Sequence, residues 1–256
     1  MRRQRIFETP EALGEAVGAD ILARLAAGSG PFLLGCPGGR SPRPVYAAMA
    51  RSGADLSRLV IVMMDDYLTP VGGALTHVDS AAHYSCRRFA TREIQAVLNR
   101  WRPADRQIVD ANIWFPDPTD PADYDRRIAA AGGIDFFLLA SGAGDGHVAF
   151  NPVGSAADSR TRIVALTEQT RRDNLRTFPD FAGLDAVPRH GVTVGIATIA
   201  AARATGMVVW GEDKALAYRR LAAATGYDPS WPATVWAACP DATLYADRAA
   251  VTGAPP

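Results

Sequence analysis

Four short segments of this 256-residue chain carry residue types suited to chemistry. The densest is Ser141-Gly142-Ala143-Gly144-Asp145-Gly146-His147. Its glycines permit a sharp turn. Asp145 stands two residues before His147, near enough to orient the imidazole and favour one tautomer. Histidine is the side chain best suited to move protons near neutrality. The plainer reading is a glycine-rich turn with an incidental histidine. A second segment, Asp65-Asp66-Tyr67, follows Met63 and Met64. A carboxylate beside apolar neighbours can have a raised pKa and act as a base. The alternative has one aspartate capping a turn and the other solvated.

The third segment is Gly38-Gly39-Arg40-Ser41-Pro42. Glycines let the backbone approach an anion, and a following helix offers free N–H groups and a positive dipole. Arg40 adds a charge-assisted donor and Ser41 a hydroxyl. An ordinary tight turn before a helix would read the same way. The fourth is Gly211-Glu212-Asp213-Lys214. A lysine at a helix start opposes the helix dipole unless it serves an anion, although surface lysines are common.

These segments need elements to hold them. Thr9-Pro10-Glu11 predicts a helix start, with the helix running to about Ala27. Phe32 to Gly35 reads as a buried strand, and Ser41 and Pro42 as the cap and first residue of a helix reaching Arg51. Leu59 to Met64 is the second strand, followed by a helix over 84–99 and a strand over 112–115. Asp120 caps a helix ending at Gly132-Gly133. Ile134 to Ala140 is the clearest buried strand, and it empties into the 141–147 turn. Arg162 to Leu166, Met207 to Trp210 and Ala242 to Tyr245 complete the strands, with a helix from about Asp213. Strands alternating with helices predict an α/β fold: a doubly wound, mostly parallel sheet, Rossmann-like, with helices on both faces. Ligands in such sheets bind beyond the carboxyl ends of the strands, where these segments fall. No repeat or linker divides the chain, so one domain is expected over 1–256, with 251–256 as a frayed tail.

Composition narrows the partners. Hydrophobic residues make up 48% and charged residues 21%, as in ordinary globular chains. Lys plus Arg and Asp plus Glu each total 27, which argues against a nucleic-acid binder relying on bulk charge. No apolar stretch suits a membrane span or a signal core. Cys36, Cys86 and Cys239 are odd in number and lack metal spacing, so a reduced, cytoplasmic setting is expected.

Taken in order, the segments resemble those of the glucosamine-6-phosphate deaminase/6-phosphogluconolactonase family over nearly the whole chain. Pro37-Gly-Gly-Arg-Ser-Pro42 is similar to that family's phosphate loop, and Met64-Asp-Asp-Tyr67 to the deaminase Met-Asp-Glu-Tyr. Asp145-Gly-His-Val-Ala-Phe-Asn151 is similar to Asp-Gly-His-Ile-Ala/Gly-Phe-Asn. Thr167-Glu-Gln-Thr-Arg171-Arg-Asp-Asn174, Val192 to Ile196 and Gly211 to Lys214 follow the deaminase branch. The resemblance implies a sugar phosphate as the small-molecule partner. It implies Gly38, Gly39, Arg40, Ser41 and Lys214 at the phosphate. It implies His147, oriented by Asp145, opening the ring, and Asp65 moving a proton between C2 and C1. Asp66 and Arg171 would be on the substrate. No metal or organic cofactor is implied, and both monomers and homo-oligomers occur in the family.

The departures from that pattern are specific. Pro152 stands where the deaminases have a glutamate that supports the histidine; the downstream Ser-Arg-Thr-Arg stays in register. Asp66 replaces a glutamate, Arg40 a small residue, and Gly38 a small hydroxyl residue. Three readings follow: an isomerase or deaminase of altered specificity, a lactonase-type hydrolase that does not need the glutamate, and a sugar-phosphate sensor.

Overall fold

The computed structural model describes residues 2–253. In chain order they form β1 (Arg2–Phe7), α1 (Pro10–Ala27), β2 (Phe32–Cys36), α2 (Arg43–Arg51), β3 (Leu59–Met63), β4 (Asp65–Val71) and β5 (Ala74–His77). The helical stretch α3 (Cys86–Phe89) runs through a π-helical segment (Ala90–Gln95) into α4 (Ala96–Asn99). Then come β6 (Ile113–Trp114), α5 (Pro121–Ala130), β7 (Phe136–Ala140), β8 (Arg162–Ala165), α6 (Glu168–Thr177) and β9 (His190–Thr193). The chain continues with α7 (Ile196–Ala200), β10 (Ala204–Val209), α8 (Ala215–Ala222), β11 (Asp241–Asp247) and α9 (Arg248–Thr252).

Seven strands make one parallel sheet in the order β1-β11-β10-β7-β2-β3-β6. The apolar runs of β2, β3, β7 and β10 are buried on both faces, as a doubly covered sheet requires. Alternate side chains divide between two cores. Leu34, Ile61, Leu138 and Val208 pack with Leu13 of α1, Val45 of α2 and Leu98 of α4. Leu33, Val60, Leu139 and Met207 face Ile128 of α5, Ile199 of α7 and Leu221 of α8. Each such fully buried aliphatic side chain stabilises the fold by about 2 kcal/mol. Successive strands step outward from β2 in one direction and from β7 in the other. The crevice between β2 and β7 is therefore the switch point where a ligand is expected.

The sequence reading anticipated this frame but not a second sheet. β4, β5, β8 and β9 form a four-stranded antiparallel sheet, order β5-β4-β9-β8. The Arg162 strand thus belongs outside the parallel sheet, and Asp65-Asp66-Tyr67 is the start of a strand rather than a loop. One residue, Met64, joins β3 to β4. Its N–H reaches the Cys36 carbonyl at 3.3 Å and its carbonyl accepts from Val194 at 2.8 Å. The basic N-terminus carries no strand pattern, yet β1 pairs in parallel with β11 along the sheet's exposed edge. Charged residues are common on edge strands, where they discourage pairing between molecules.

Two further expectations change. α2 begins at Arg43 with Pro42 at the capping position and no side-chain cap, so Ser41 is not the helix cap. Val251 and Thr252, expected in a frayed tail, close α9, whose cap Asp247 accepts from Ala250 N at 2.8 Å. Residues 254–256 of that expected tail lie outside the described residues.

Candidate active site

The carboxyl ends of β2, β3, β7 and β10 open on one cavity of about 140 Å³. Gly38, Gly39, Arg40 and Ser41 line it after β2, Asp65 after β3, His147 after β7 and Lys214 after β10. The opposite wall comes from α6 and the residue after it, with Asp173, Asn174, Arg176, Thr177 and Phe178.

On the imidazole side, His147 Nδ1 lies 2.7 Å from Asp145 Oδ1, and the same oxygen accepts the His147 backbone N–H at 3.1 Å. Asp145 therefore holds the ring as the sequence predicted, leaving Nε2 for a ligand. Burial pushes the Asp145 carboxyl up, but the hydrogen bond and charge of His147 outweigh it and hold it below the usual carboxylate range. Gly142 makes this pair possible. A Cβ there would stand 2.3 Å from His147 Nδ1 and 2.4 Å from Asp145 Oδ1. Ala149, which also lines the cavity, has a left-handed backbone (φ 51), a conformation costly for a residue with a Cβ.

Across the cavity, Asp65 is 6% exposed. Burial first, and the neighbouring Asp66 second, push its carboxyl up to about 7; Cys86 and His147 oppose them. An acid of that strength near neutrality suits proton transfer from carbon.

The end of the cavity after β2 and β10 is built from loops and one lysine. Gly39 has φ +85, a conformation glycine adopts without penalty. The Ser41 carbonyl accepts from Trp210 Nε1 at 2.9 Å, which fastens the loop to the end of β10. With no capping bond to make, the Ser41 hydroxyl is available to the cavity. Arg40 pairs with Asp213 at 3.2 Å. Lys214 is directed inward, donating to the Ser141 carbonyl at 2.6 Å. Burial lowers its pKa more than Asp213 and Asp173 raise it. A buried ammonium that holds only a carbonyl gains by meeting an anionic ligand.

Two predicted residues lie elsewhere. Asp66 is fully buried and faces away from the cavity, held by His77 at 2.8 Å, Arg87 at 3.3 Å and the backbone N–H groups of Tyr67 and Cys86. Alternation along β4 sends adjacent side chains to opposite faces, so Asp65 and Asp66 could not both enter the site. Arg171 is also buried; its guanidinium donates to the carbonyls of Val187 and Leu184 and does not line the cavity. Arg176, five residues further along α6, faces the cavity instead. Helical periodicity separates the two faces, and it could have been applied to the Thr167–Asn174 motif and its continuation.

The sequence reading also missed Asp173, Asn174 and Cys86. Asp173 Oδ2 lies 4.0 Å from His147 Nδ1 and its other oxygen accepts from Gln169 at 3.1 Å. Asn174 Nδ2 is buried without a hydrogen-bond partner. Asp145, His147 and Asp173 bring ligand atoms within 4.8 Å of one another. Because Asp145 already engages Nδ1, the group is better matched to acid–base work than to coordination.

Residues 8–244 match the family described as glucosamine-6-phosphate isomerases/6-phosphogluconolactonase. Among curated relatives, a glucosamine-6-phosphate deaminase of Streptomyces avermitilis is 37% identical over 96% of this chain and 90% of its own. One from Pseudarthrobacter chlorophenolicus is 36% identical over 91% and 86%. The fold matches a solved monomeric glucosamine-6-phosphate deaminase with TM-score 0.83, at 23% identity over 98% and 99% of the two chains. It also matches the 6-phosphogluconolactonase of Leishmania guyanensis with TM-score 0.70, at 17% identity over 99% and 98%. No helix among the described residues is long and apolar enough to cross a membrane. With the family matched over nearly its full length and relatives covered almost end to end, the chain belongs to the glucosamine-6-phosphate isomerase/6-phosphogluconolactonase family.

Proposed function

We propose that this enzyme isomerises an amino-hexose 6-phosphate and releases its C2 amine as ammonia. The observation that carries the reading is Asp65, a buried carboxyl with a pKa near 7 facing the same cavity as the Asp145–His147 pair. A hydrolase needs no base aimed at a C–H bond; an isomerase does.

The phosphate would sit against the Gly38–Ser41 loop, Lys214 and Arg176. His147 Nε2 would donate a proton to the ring oxygen as the C1 hydroxyl loses its own, opening the ring to the aldehyde. Asp65 then takes the C2 proton and returns it to C1, while the C1 carbonyl oxygen gains a proton and the C2 amine loses one, converting the amino aldehyde to its isomeric ketimine. Water adds to the C2 imine and ammonia leaves, so one substrate and one water give a ketose phosphate and ammonia. Every step lies next to a carbonyl or imine, where the C–H bond is already acidic. Asp173 would provide a second negative charge beside the imidazole, as Pro152 cannot.

A lactonase reading is favoured by the Gly38-Gly39 pair and by Pro152, which removes a carboxylate that water attack on a lactone does not need. There His147 would activate water against the lactone carbonyl, and Asp65 would have no role. A substrate panel separates the two. Purified enzyme is offered glucosamine 6-phosphate, other amino-hexose 6-phosphates and 6-phosphogluconolactone, with ammonia, ketose and acid release measured. Ammonia and ketose in equal amounts support the proposal. Acid release from the lactone, with no ammonia from any amino sugar, would transfer the site to the second reading.

A further inference from the structure

The cysteines of this chain are not alike. Cys36 donates its S–H to the Leu34 carbonyl, and Cys239 to those of Ile199 and Val235. These are thiols buried in the core with backbone partners. Cys86 lines the active-site cavity, 5% exposed, with Sγ 3.6 Å from Asp65 Oδ1. Burial and the two aspartates push its thiol pKa well above the ordinary value, so it stays an S–H donor at working pH.

Its position is set by local structure. Cys86 is the first residue of α3, whose cap is Ser85: the Ser85 Oγ accepts from Arg88 N at 3.3 Å. The Cys86 backbone N–H meets Asp66 Oδ1 at 3.3 Å while its side chain meets Asp65. One residue thus ties the start of a helix to both carboxylates at the start of β4. The two acids are treated unequally. Asp66 has two side-chain and two backbone donors. Among the described residues the Cys86 thiol is the one hydrogen-bond donor to the Asp65 carboxylate.

We propose that Cys86 is a positioning residue for the Asp65 base, its thiol fixing one carboxylate oxygen so that the other is presented to the substrate carbon. The inference rests on the reading of Asp65 as the base. The choice of sulfur has a physical reason. A thiol is a weak donor, so it orients the carboxylate with little loss of basicity. A hydroxyl in its place would bond more strongly and favour the charged form, making a weaker base; a methyl would leave the carboxylate free to turn.

The test compares Cys86→Ser and Cys86→Ala with the parent enzyme. In the pH profile of kcat, the acid limb is expected to move down in the serine variant and up in the alanine variant, by about half a unit to one unit each. kcat should fall several-fold in both, with KM nearly unchanged. An infrared S–H stretch, isolated as the difference between parent and Cys86→Ala, should shift on Asp65→Asn substitution. That arm needs no turnover. Coincident acid limbs, or an S–H band indifferent to Asp65→Asn, would overturn the inference while the base reading stands if Asp65→Asn is inactive. Turnover persisting in Asp65→Asn would remove the base itself, and the positioning role with it.

Discussion

The molecule contains two histidine–aspartate pairs of almost the same geometry. His147 Nδ1 lies 2.7 Å from Asp145, and His77 Nδ1 lies 2.8 Å from Asp66. The histidine side chains are similarly exposed, at 16% and 20%. The carboxylates differ. Asp66 is completely buried and receives Arg87 and two backbone N–H groups besides His77. Asp145 is 15% exposed, and His147 gives it one ring and one backbone hydrogen bond. One pair is saturated and turned from the cavity; the other is left with an imidazole edge on the cavity wall. A short His–Asp contact does not by itself mark a catalytic pair. Unspent hydrogen-bonding capacity facing a cavity is what makes the His147 pair the candidate.

The largest expected effect breaks the comparison directly. His147→Ala should lower kcat by about 10²–10⁴-fold, the usual contribution of a positioned acid–base group. His77→Ala should leave kcat within a few-fold and cost about 1 kcal/mol of stability. Steady-state kinetics beside denaturant unfolding reads both; equal losses of kcat would erase the distinction.

The carboxylates should show the reverse order in stability. Asp66→Ala strips the partner from Arg87 and from two buried N–H groups and should cost about 3 kcal/mol or more. Asp145→Ala should cost less in unfolding free energy but lower kcat at least tenfold, because the imidazole loses its orientation. A stable, active Asp66→Ala enzyme would show that the saturated pair is not structural.

Asp65 extends the contrast to pH. It is nearly as buried as its neighbour but has far fewer donors; burial and the Asp66 charge, opposed only in part by Cys86 and His147, raise its pKa from 3.8 to about 7. An acid with a higher pKa folded than unfolded keeps its proton longer in the native state. The Asp65 contribution to stability therefore declines as pH rises from about 4 to 7 and levels off above that. Asp65→Asn should be inactive, yet more stable than the parent by about 2–4 kcal/mol at pH 8, with the difference vanishing near pH 4. Parent turnover should rise with pH through an acid limb near 7. A constant stability difference across this range would mean that Asp65 does not titrate there.

The sequence was most readable where one local rule decides the outcome. Apolar runs located β2, β3, β7 and β10, three of them bounded by glycine. The turns after them located Gly38–Ser41, Asp65, His147 and Lys214 on one side of the sheet. It was least readable where pairing across distance decides. Nothing local to Asp65-Asp66-Tyr67 says that its partner strand is His190–Thr193. Without that strand, the opposite facing of the two aspartates stays hidden. Arg171 and Arg176 are equally basic and periodicity puts them on different faces of α6; the packing of Arg171 against the Leu184 and Val187 carbonyls sets which face the cavity receives. Cys86 had no motif to announce it, since its meaning comes from β4 lying beside α3.

The antiparallel sheet has a consequence for how the site comes into being. Its strands leave the parallel frame in two separate excursions, β4–β5 after β3 and β8–β9 after β7, and they complete one another. The Asp65–Thr193 pairing brings together residues half the chain apart. Closing so long a loop is entropically costly and is repaid only when both excursions are present. The cavity wall should therefore be among the last parts of the molecule to form, after the turns that follow β2 and β10 are already in place.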